Sequence, residues 1–428
     1  MKILVIGAGV VGSSCALELQ RRGHAVTLLE AAAQPATGAS HANAGLISPG
    51  HCFSWAEPGI ATVALKSLLG LSDGLGICAP LSPALWRWAC LFAREATAPR
   101  WLANSRAALA LSAYSRDCHF QPDALPADRY GGRHAGILYL YGPHDTPGAH
   151  DADLLRAADE TFEWLDASSV GRCEPALDHS AIRFEKGMFC PNDGTGDAAR
   201  FAHAALAAFE RLGGSARFGE RVAHIDVRAG RAVGVRTPSA HYGADAVVVT
   251  AGLQSRALLR PLGIDLPIYP VAGYSITYEN VSGTLPTTGA VSIAHKIAWA
   301  SFAPGSVRFT GFADVGAPNA QRRARRLAAL DAFARSIIPS VAGAQRKEWV
   351  GSRPMTPDNL PFLGGCAVDN LWLNCGHGAM GWTMANGSAQ IMGDLLDGKN
   401  AALDLTPYRA DRYGFLARRT RTEHTKDF

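Results

Sequence analysis

The sequence predicts an α/β fold, α+β overall, and three observations predict it. The first thirty residues read as strand, glycine turn, helix and second strand. A later run, Ala246-Val247-Val248-Val249-Thr250-Ala251-Gly252, is another buried strand that ends in small residues. Residues 267–277 and 292–312 return to strand patterns, as the strands of a mixed sheet would.

Each part of the opening has a physical reason. Ile3, Leu4, Val5 and Ile6 form the short aliphatic run of a buried parallel strand. Gly7-x-Gly9-x-x-Gly12 follows at once. Residues 13–22 continue as a helix, with Ala16, Leu17 and Leu19 available to pack on a sheet, and Gly23 stops it. Residues 25–29 form the second strand, with Glu30 at its carboxyl end. Gly7 allows the tight turn, Gly9 lets a pyrophosphate approach the backbone, and Gly12 lets the helix lie close to the sheet. The first helical amides and the positive dipole end then face the phosphates. Glu30 can accept hydrogen bonds from both ribose hydroxyls, which suits FAD or NAD and repels a 2′-phosphate. The opening therefore predicts a Rossmann-like dinucleotide site.

The length of 428 residues allows two or three domains, and 48% hydrophobic residues allow a large core without covalent staples. The formal charge of +4 is mild. No basic stripe is interleaved with aromatics, so nucleic acid is not expected as a partner. The nine cysteines are odd in number and contain no Cys-x-x-Cys pair. That fits a reducing compartment and predicts neither a disulfide framework nor a metal site. Lys2 before an apolar run imitates a signal peptide, but the glycine fingerprint explains the run better. No stretch of about 18 uncharged apolar residues occurs, so no membrane-spanning helix is expected.

After Glu30 a loop leads into Gly38-Ala39-Ser40-His41-Ala42-Asn43-Ala44-Gly45, residues too small to build a core but able to let a backbone approach a flat ligand. Residues 60–101 are apolar and punctuated by Pro80 and Pro83. Trp86, Trp88 and Trp101 there read as core or interface lining, with a membrane-facing role as the alternative. Residues 103–118 form a helix. Residues 130–141 hold alternating Ile137, Tyr139 and Tyr141, a strand signal. Residues 149–166 read as a charged amphipathic helix and 187–197 as a turn-rich connection. Residues 198–212 are an alanine-rich helix closed by Gly213-Gly214. Residues 217–237 read as two strands about Ala229-Gly230. Residues 321–336 are a basic helix with a solvated face, 349–365 read as loop, and 371–374 as a short strand. Gly376-His377-Gly378 then opens a helix over 380–396. This second strand–glycine–helix unit would aim another positive dipole at the ligand, which suits a flavin better than a nicotinamide.

Taken together, these pieces resemble the glycine oxidase/D-amino acid oxidase superfamily of flavoproteins, and within it the bacterial D-amino acid dehydrogenases. The resemblance runs nearly the full length. It is carried by Ser40-His41-Ala42-Asn43-Ala44-Gly45-Leu46-Ile47-Ser48-Pro49-Gly50, Tyr114-Ser115-Arg116-Asp117-Cys118 and Pro191-Asn192-Asp193 with Thr195-Gly196-Asp197. Further on come Gly273-Tyr274-Ser275-Ile276-Thr277, Arg353-Pro354-Met355-Thr356-Pro357-Asp358, and Gly376-His377-Gly378 with Gly381-Trp382-Thr383-Met384. The chain departs from the better-known members at His41, Leu46, Ala272 and His295-Lys296, close to the implied active site.

The resemblance implies a Rossmann-like FAD-binding domain assembled from 1–85, 191–265 and 346–428, and a mixed-sheet substrate domain from 86–190 and 266–345. It implies noncovalent FAD, because the segment 353–358 holds no cysteine for a covalent link; Cys366 and Cys375 lie outside it. The first turn offers Ile6, Gly7, Gly9, Val10, Val11 and Gly12 to the cofactor, and Glu30 and Ala31 follow. The small-residue stretch offers Ser40, His41, Asn43, Ala44, Gly45 and Leu46. Later parts offer Val222, Ala251 and Gly252, and the second glycine turn offers Gly376, His377, Gly378, Met380, Gly381, Trp382 and Thr383.

An amino acid substrate needs its carboxylate held and its Cα hydrogen aimed at the flavin. Arg353 matches the position from which related oxidases grip the carboxylate, with an interdomain ion pair as the alternative reading. Tyr274 is the candidate second hydrogen bond, with a core tyrosine of satisfied hydroxyl as its alternative. His377 would hydrogen-bond the flavin or simply cap its helix, and His51 and Trp55 would line the pocket. Hydride transfer needs placement more than a protein base. The implied activity is oxidative deamination of D-amino acids to 2-oxo acids and ammonia, with electrons passed to a quinone or other respiratory acceptor. The implied location is the bacterial cytoplasm, with peripheral association with the inner face of the membrane. Three other readings stay open: a dehydrogenase or oxidase of a secondary amine such as cis-4-hydroxy-D-proline or sarcosine, a flavin-bearing partner module without its own substrate, and NAD-dependent chemistry.

Overall fold

The computed structural model describes residues 1–60, 62, 67, 74–78, 81–143, 145 and 149–414. The apolar stretch 60–101 lies partly outside them, Pro80 included, as do residues 415–428 of the last expected segment. In chain order the first elements are β1 (Lys2–Ile6), α1 (Val10–Arg21), β2 (Ala25–Glu30), β3 (Leu46–Ile47), β4 (Leu75–Ile77), α2 (Pro83–Glu95), α3 (Ala98–His119), β5 (Ile137–Tyr141), α4 (Ala149–Ala157) and β6 (Glu163–Asp166). Next come α5 (Ala167–Cys173), β7 (Lys186–Cys190), β8 (Gly194–Thr195), α6 (Ala198–Arg211), β9 (Ser215–Phe218), β10 (His224–Arg228), β11 (Arg231–Arg236), β12 (His241–Gly243) and β13 (Ala246–Val249). The last are α7 (Gln254–Leu259), β14 (Tyr269–Glu279), β15 (Gly289–Ser292), β16 (Ile297–Ala303), β17 (Ser306–Val315), α8 (Ala320–Ile337), β18 (Gln345–Met355), β19 (Phe362–Gly365), β20 (Leu371–Cys375) and α9 (Gly381–Leu396).

Two large sheets organise these elements. The first has the order β19-β20-β13-β1-β2-β9, parallel except for the β19–β20 hairpin. Along β1 the side chains alternate, as the pleat requires. Ile3 and Val5 join the core formed by α1, α6 and α9, while Leu4 and Ile6 pack with Ile225 and Val235 of the small β10-β11-β12 sheet on the other face. Both faces are covered, which is why β1 and β13 read as unbroken apolar runs.

The second sheet is mixed, in the order β18-β14-β17-β16-β15-β5-β7-β6, with β4 paired to β17. One face packs against α8, where Ile276, Tyr278, Trp299 and Phe309 meet Leu330, Phe333 and Ala334. The expected segment division is not matched strand for strand. β4, from the first segment, and β18, from the last, pair into this second sheet, and α3 packs on α9 beside the first. Pairing partners are chosen over long range, so local pattern does not reveal them.

Three local expectations are corrected. Residues 349–365 are not loop throughout: 349–355 belong to β18, an edge strand where Gly351 and Pro354 are tolerated, and 362–365 form β19. The helix expected over 149–166 stops at Ala157; Asp159 takes a positive φ of 54° and Glu163–Asp166 pair as β6. Residues 187–190 belong to β7. The basic helix α8 has its expected solvated face, and its other side buries Arg326, Leu330, Phe333, Ala334 and Ile337. Trp88 and Trp101 are buried as core, whereas Trp86 is 57% exposed. No helix among the described residues is long and apolar enough to cross a membrane.

The two sheets are tied together by β3 pairing with β8 and by one buried ion pair. Arg308 on β17 donates from Nη2 to Asp197 Oδ2 at 2.8 Å, from Nε to Thr277 Oγ1 at 2.9 Å and from Nη1 to the Asn43 carbonyl at 3.3 Å. Both ionic side chains are only 9% exposed, and Asp197 also caps α6. Removing one partner strands the other charge, so Arg308→Met is expected to destabilise the protein by about 3 kcal/mol. Urea denaturation checks this as a lower midpoint at unchanged slope.

Candidate active site

A cleft of about 1480 Å³ runs between the two sheets. It is larger than the roughly 300–1,000 Å³ of ordinary small-molecule sites, as a dinucleotide plus a substrate requires. Its inner end is built by the turn from β1 into α1. Gly7 has φ +106°, and a Cβ there would lie 2.9 Å from the Thr250 carbonyl. A Cβ on Gly12 would lie 1.9 Å from the Gly7 carbonyl oxygen, so α1 reaches the turn only because Gly12 has no side chain. Thr250 closes the same turn by donating to the carbonyls of Ile6 and Gly7. Ser40 Oγ accepts from the first amide of α1, Val10 N, at 3.0 Å. Glu30 is oriented by two backbone amides, Ala8 N at 2.6 Å and Ala32 N at 2.8 Å, and lines the cleft with its remaining acceptor capacity.

The second glycine turn faces the same cleft. Gly376 and Gly378 take positive φ of 79° and 55° on either side of His377. His377 is buried, and Nε2 has no partner. Burial pulls its pKa down to about 3, so the imidazole is neutral at working pH. Asn374 and Trp382, also on the cleft wall, hold unpartnered buried polar atoms too. Thr383 sews this wall to β3: its Oγ1 donates to the Leu46 carbonyl and accepts from Ser48 N. The glycine cradle, the oriented Glu30 and these orphaned polar atoms fit FAD.

The outer end is made by the second sheet. Arg353 on β18 donates from Nη1 to the Phe312 carbonyl at 3.1 Å and to the Ala272 carbonyl at 3.4 Å. It forms no ion pair among the described residues. The Trp55 ring lies 5.9 Å from the guanidinium carbon. Arg353 keeps partial exposure through the cleft, yet the surrounding protein lowers its pKa to about 10, which leaves it protonated at neutral pH. A Cβ on Gly273 would come within 2.5 Å of Arg353 Nη2.

The cleft brings together every sequence-predicted site residue except Gly12, His41 and Tyr274. Gly12 acts through packing. His41 is exposed, its ring 5.9 Å from that of Trp349. Tyr274 stands on the opposite face of β14 from Gly273, fully buried, its hydroxyl donating to Asp314 Oδ2 at 2.5 Å. A tyrosine one residue from a cleft-facing glycine has the wrong parity for the cleft. Sequence reasoning assigned no site role to Tyr141, Asp151, Phe312 or Trp349, all of which line the cleft. Tyr141 was detectable, since it shares the alternation of Ile137 and Tyr139. Trp349, Gly351 and Arg353 alternate in the same way.

Next to the cleft, Asp193 accepts from Gly50 N at 3.1 Å and from the Tyr139 hydroxyl at 2.9 Å. Burial outweighs these bonds and raises its carboxyl to about 7. The folded state then holds a proton that the unfolded chain has released, so this group's contribution to stability is full below about pH 4 and is lost as pH rises to about 7. Relative to Asp193→Asn, the unsubstituted protein is expected to lose on the order of 3–4 kcal/mol between pH 4 and pH 8, read from urea midpoints across that range. A second substitution tests the cleft geometry. Gly273→Ala should displace the guanidinium and lower kcat/KM by about tenfold or more while FAD content is unchanged.

The family model described as FAD dependent oxidoreductase matches residues 2–395. A protein named D-amino acid dehydrogenase from Cereibacter sphaeroides is 36% identical over 425 residues, covering 98% of this chain and 97% of that one. One of the same name from Rhizobium johnstonii is 36% identical over 417 residues, covering 97% and 100%. Among solved structures, glycine oxidase from Bacillus cereus matches with a TM-score of 0.70 at 21% identity, covering 98% of this chain and 99% of that one. L-proline dehydrogenase from P. horikoshii matches with a TM-score of 0.71 at 17% identity, covering 96% and 97%. With the glycine cradle, the second glycine turn and the mixed sheet over the cleft, this match across most of the chain makes the protein a member of the FAD dependent oxidoreductase family.

Proposed function

We propose that the protein oxidatively deaminates D-amino acids to 2-oxo acids and ammonia and passes the electrons to a quinone or another respiratory acceptor. The observation that carries this reading is Arg353, a cleft-lining guanidinium with two neutral carbonyls beside it and no carboxylate partner among the described residues. A substrate carboxylate would supply the missing anion through two parallel hydrogen bonds.

Ile6 to Val11, Glu30, Ser40, Asn43 to Leu46 and the turn at 376–383 would hold FAD. FAD held there would supply the oxidising group, a hydride acceptor for the substrate Cα. Arg353 sets the carboxylate end, so that the Cα–H bond is presented in one orientation. The amine would give its proton to solvent, and water would convert the oxidised imino acid to the 2-oxo acid and ammonia. His377, kept neutral by burial, offers Nε2 as one hydrogen bond at the inner wall without adding charge. Noncovalent attachment is part of the proposal, because the Cys375 thiol is buried and pushed up to about 12, far from a reactive thiolate. The relatives' name supports both the D-configuration and a dehydrogenase-type acceptor.

Anaerobic mixing with D-alanine, D-phenylalanine and cis-4-hydroxy-D-proline tests the reading through bleaching of the flavin bands. Primary D-amino acids should bleach it, with fast recovery on adding a quinone and slow recovery in air. Bleaching by the cyclic substrate alone would transfer the assignment to secondary amines. Arg353→Met should lower kcat/KM by about 100- to 1,000-fold, or about 3–4 kcal/mol, mainly through KM.

A further inference from the structure

We propose that Asp314 is a positioning residue for Arg353, acting through a bulge that aims the Phe312 carbonyl at the guanidinium. The inference rests on the reading of Arg353 as the carboxylate grip.

β17 carries one residue more than β14 where they pass the cleft. Ala272 pairs with Asp314, but Tyr274 pairs with Gly311, so three steps on one strand oppose two on the other. Within this bulge, Phe312 has φ +61°. A bulky residue occupies that left-handed region only where its surroundings over-determine it. Its carbonyl accepts from Arg353 Nη1 at 3.1 Å beside the cleft, while its ring packs in the core of the second sheet.

Three contacts over-determine it. The extra residue reverses the strand's parity, so Asp314 points with Tyr274 toward α8 instead of into the cleft. There the carboxylate, 0% exposed, accepts from the Tyr274 hydroxyl at 2.5 Å, from Arg326 Nη2 at 3.2 Å and from Arg322 Nη1 at 3.3 Å. The Arg326 guanidinium also lies over the Phe312 ring, 4.8 Å from its centre. On the far side, β4 pairs Gly76 with Asp314, and a Cβ there would sit 1.9 Å from Asp314 Oδ1. Asp314 is thus walled in. The acid that fixes the strained turn never touches the cleft, yet it sets the direction of one of the two carbonyls that orient Arg353.

The test uses the FAD-loaded protein and anaerobic stopped-flow reduction by D-alanine and by D-alaninamide, which lacks the carboxylate. Asp314→Asn is expected to lower the second-order rate constant for D-alanine about tenfold, to change the limiting rate less than about threefold, and to leave D-alaninamide unchanged. In an Arg353→Met background the same substitution should change D-alanine reduction less than about twofold, because the group it positions is gone. Tyr274→Phe removes one donor to Asp314 at nearly constant volume and should give a smaller loss with the same pattern. It carries the test if Asp314→Asn is insoluble. Equal losses with both substrates, or a loss that persists without Arg353, would overturn the positioning role. If Arg353→Met alone leaves D-alanine reduction unchanged, the carboxylate grip itself falls, and this inference falls with it.

Discussion

Each strand of the second sheet that passes the cleft must face two unlike surroundings at once. One face meets the aromatic layer on α8; the other meets a cofactor and a substrate. The pleat makes this possible because side chains alternate, and it also makes it unforgiving, because a shift of one residue exchanges the faces. Ile276 and Tyr278 on β14 pack with Trp299 and Phe309 in the core, while Gly273 beside the cleft must stay bare for Arg353. β17 obeys the rule up to Gly311 and then breaks it with one extra residue, which sends Asp314 to the core side. The bulge is therefore the place where the sheet's regularity is given up so that a carbonyl can face the substrate's end of the cleft.

Charge is handled in two opposite ways around the same cleft. Arg308 and Arg412 are matched inside the protein, by Asp197 at 2.8 Å and by Asp358 at 2.6 Å. These pairs hold elements together, and neither cation is left to bind a ligand. Arg353 is given only neutral carbonyl acceptors. Nearby histidines are kept neutral: burial pulls His119 down to about 4 and His377 to about 3. Near neutral pH the inner wall around His377 therefore adds no positive charge to compete with Arg353 for an anion.

How much of this was legible in the sequence depended on how local the cause was. Gly7, Gly9, Gly12 and Glu30 form a single strand–turn–helix unit, so spacing alone located them, as it did the turn at Gly376 and Gly378. The cleft-lining residues Ser40 and Asn43 to Leu46 were legible from the small-residue stretch and from resemblance. Tyr274 was not brought to the cleft because motif adjacency says nothing about parity; the satisfied core hydroxyl is what the structure contains. β18 was hidden because Gly351 and Pro354 look like loop residues, and their tolerance comes from lying on an edge. Phe312 was invisible for a deeper reason. A bulge is a relation between two strands, and neither strand's own pattern contains it.

The unpaired state of Arg353 also bears on selectivity. A guanidinium removed from water without a counter-ion is unfavourable, and here that shows as a pKa drawn down to about 10 by the loss of solvent. An anionic ligand reverses that penalty, whereas a neutral ligand of the same shape leaves it in place. Under the proposed role of Arg353, a substrate carboxylate would be recognised by a deficit built into the free protein as well as by the hydrogen bonds formed on binding. The sign of the pH dependence follows. Arg353 is charged below about pH 10, so in the proposed role its grip would be constant across the neutral range and weaken only above it. Any steeper dependence near neutrality has to come from other groups, such as the substrate amine or Asp151, a cleft-lining carboxyl raised to about 6 by burial and by the nearby Glu57 charge. Arg353 and Asp151 are therefore separable by pH: one is a permanent cation, the other a carboxyl group that titrates just below neutrality.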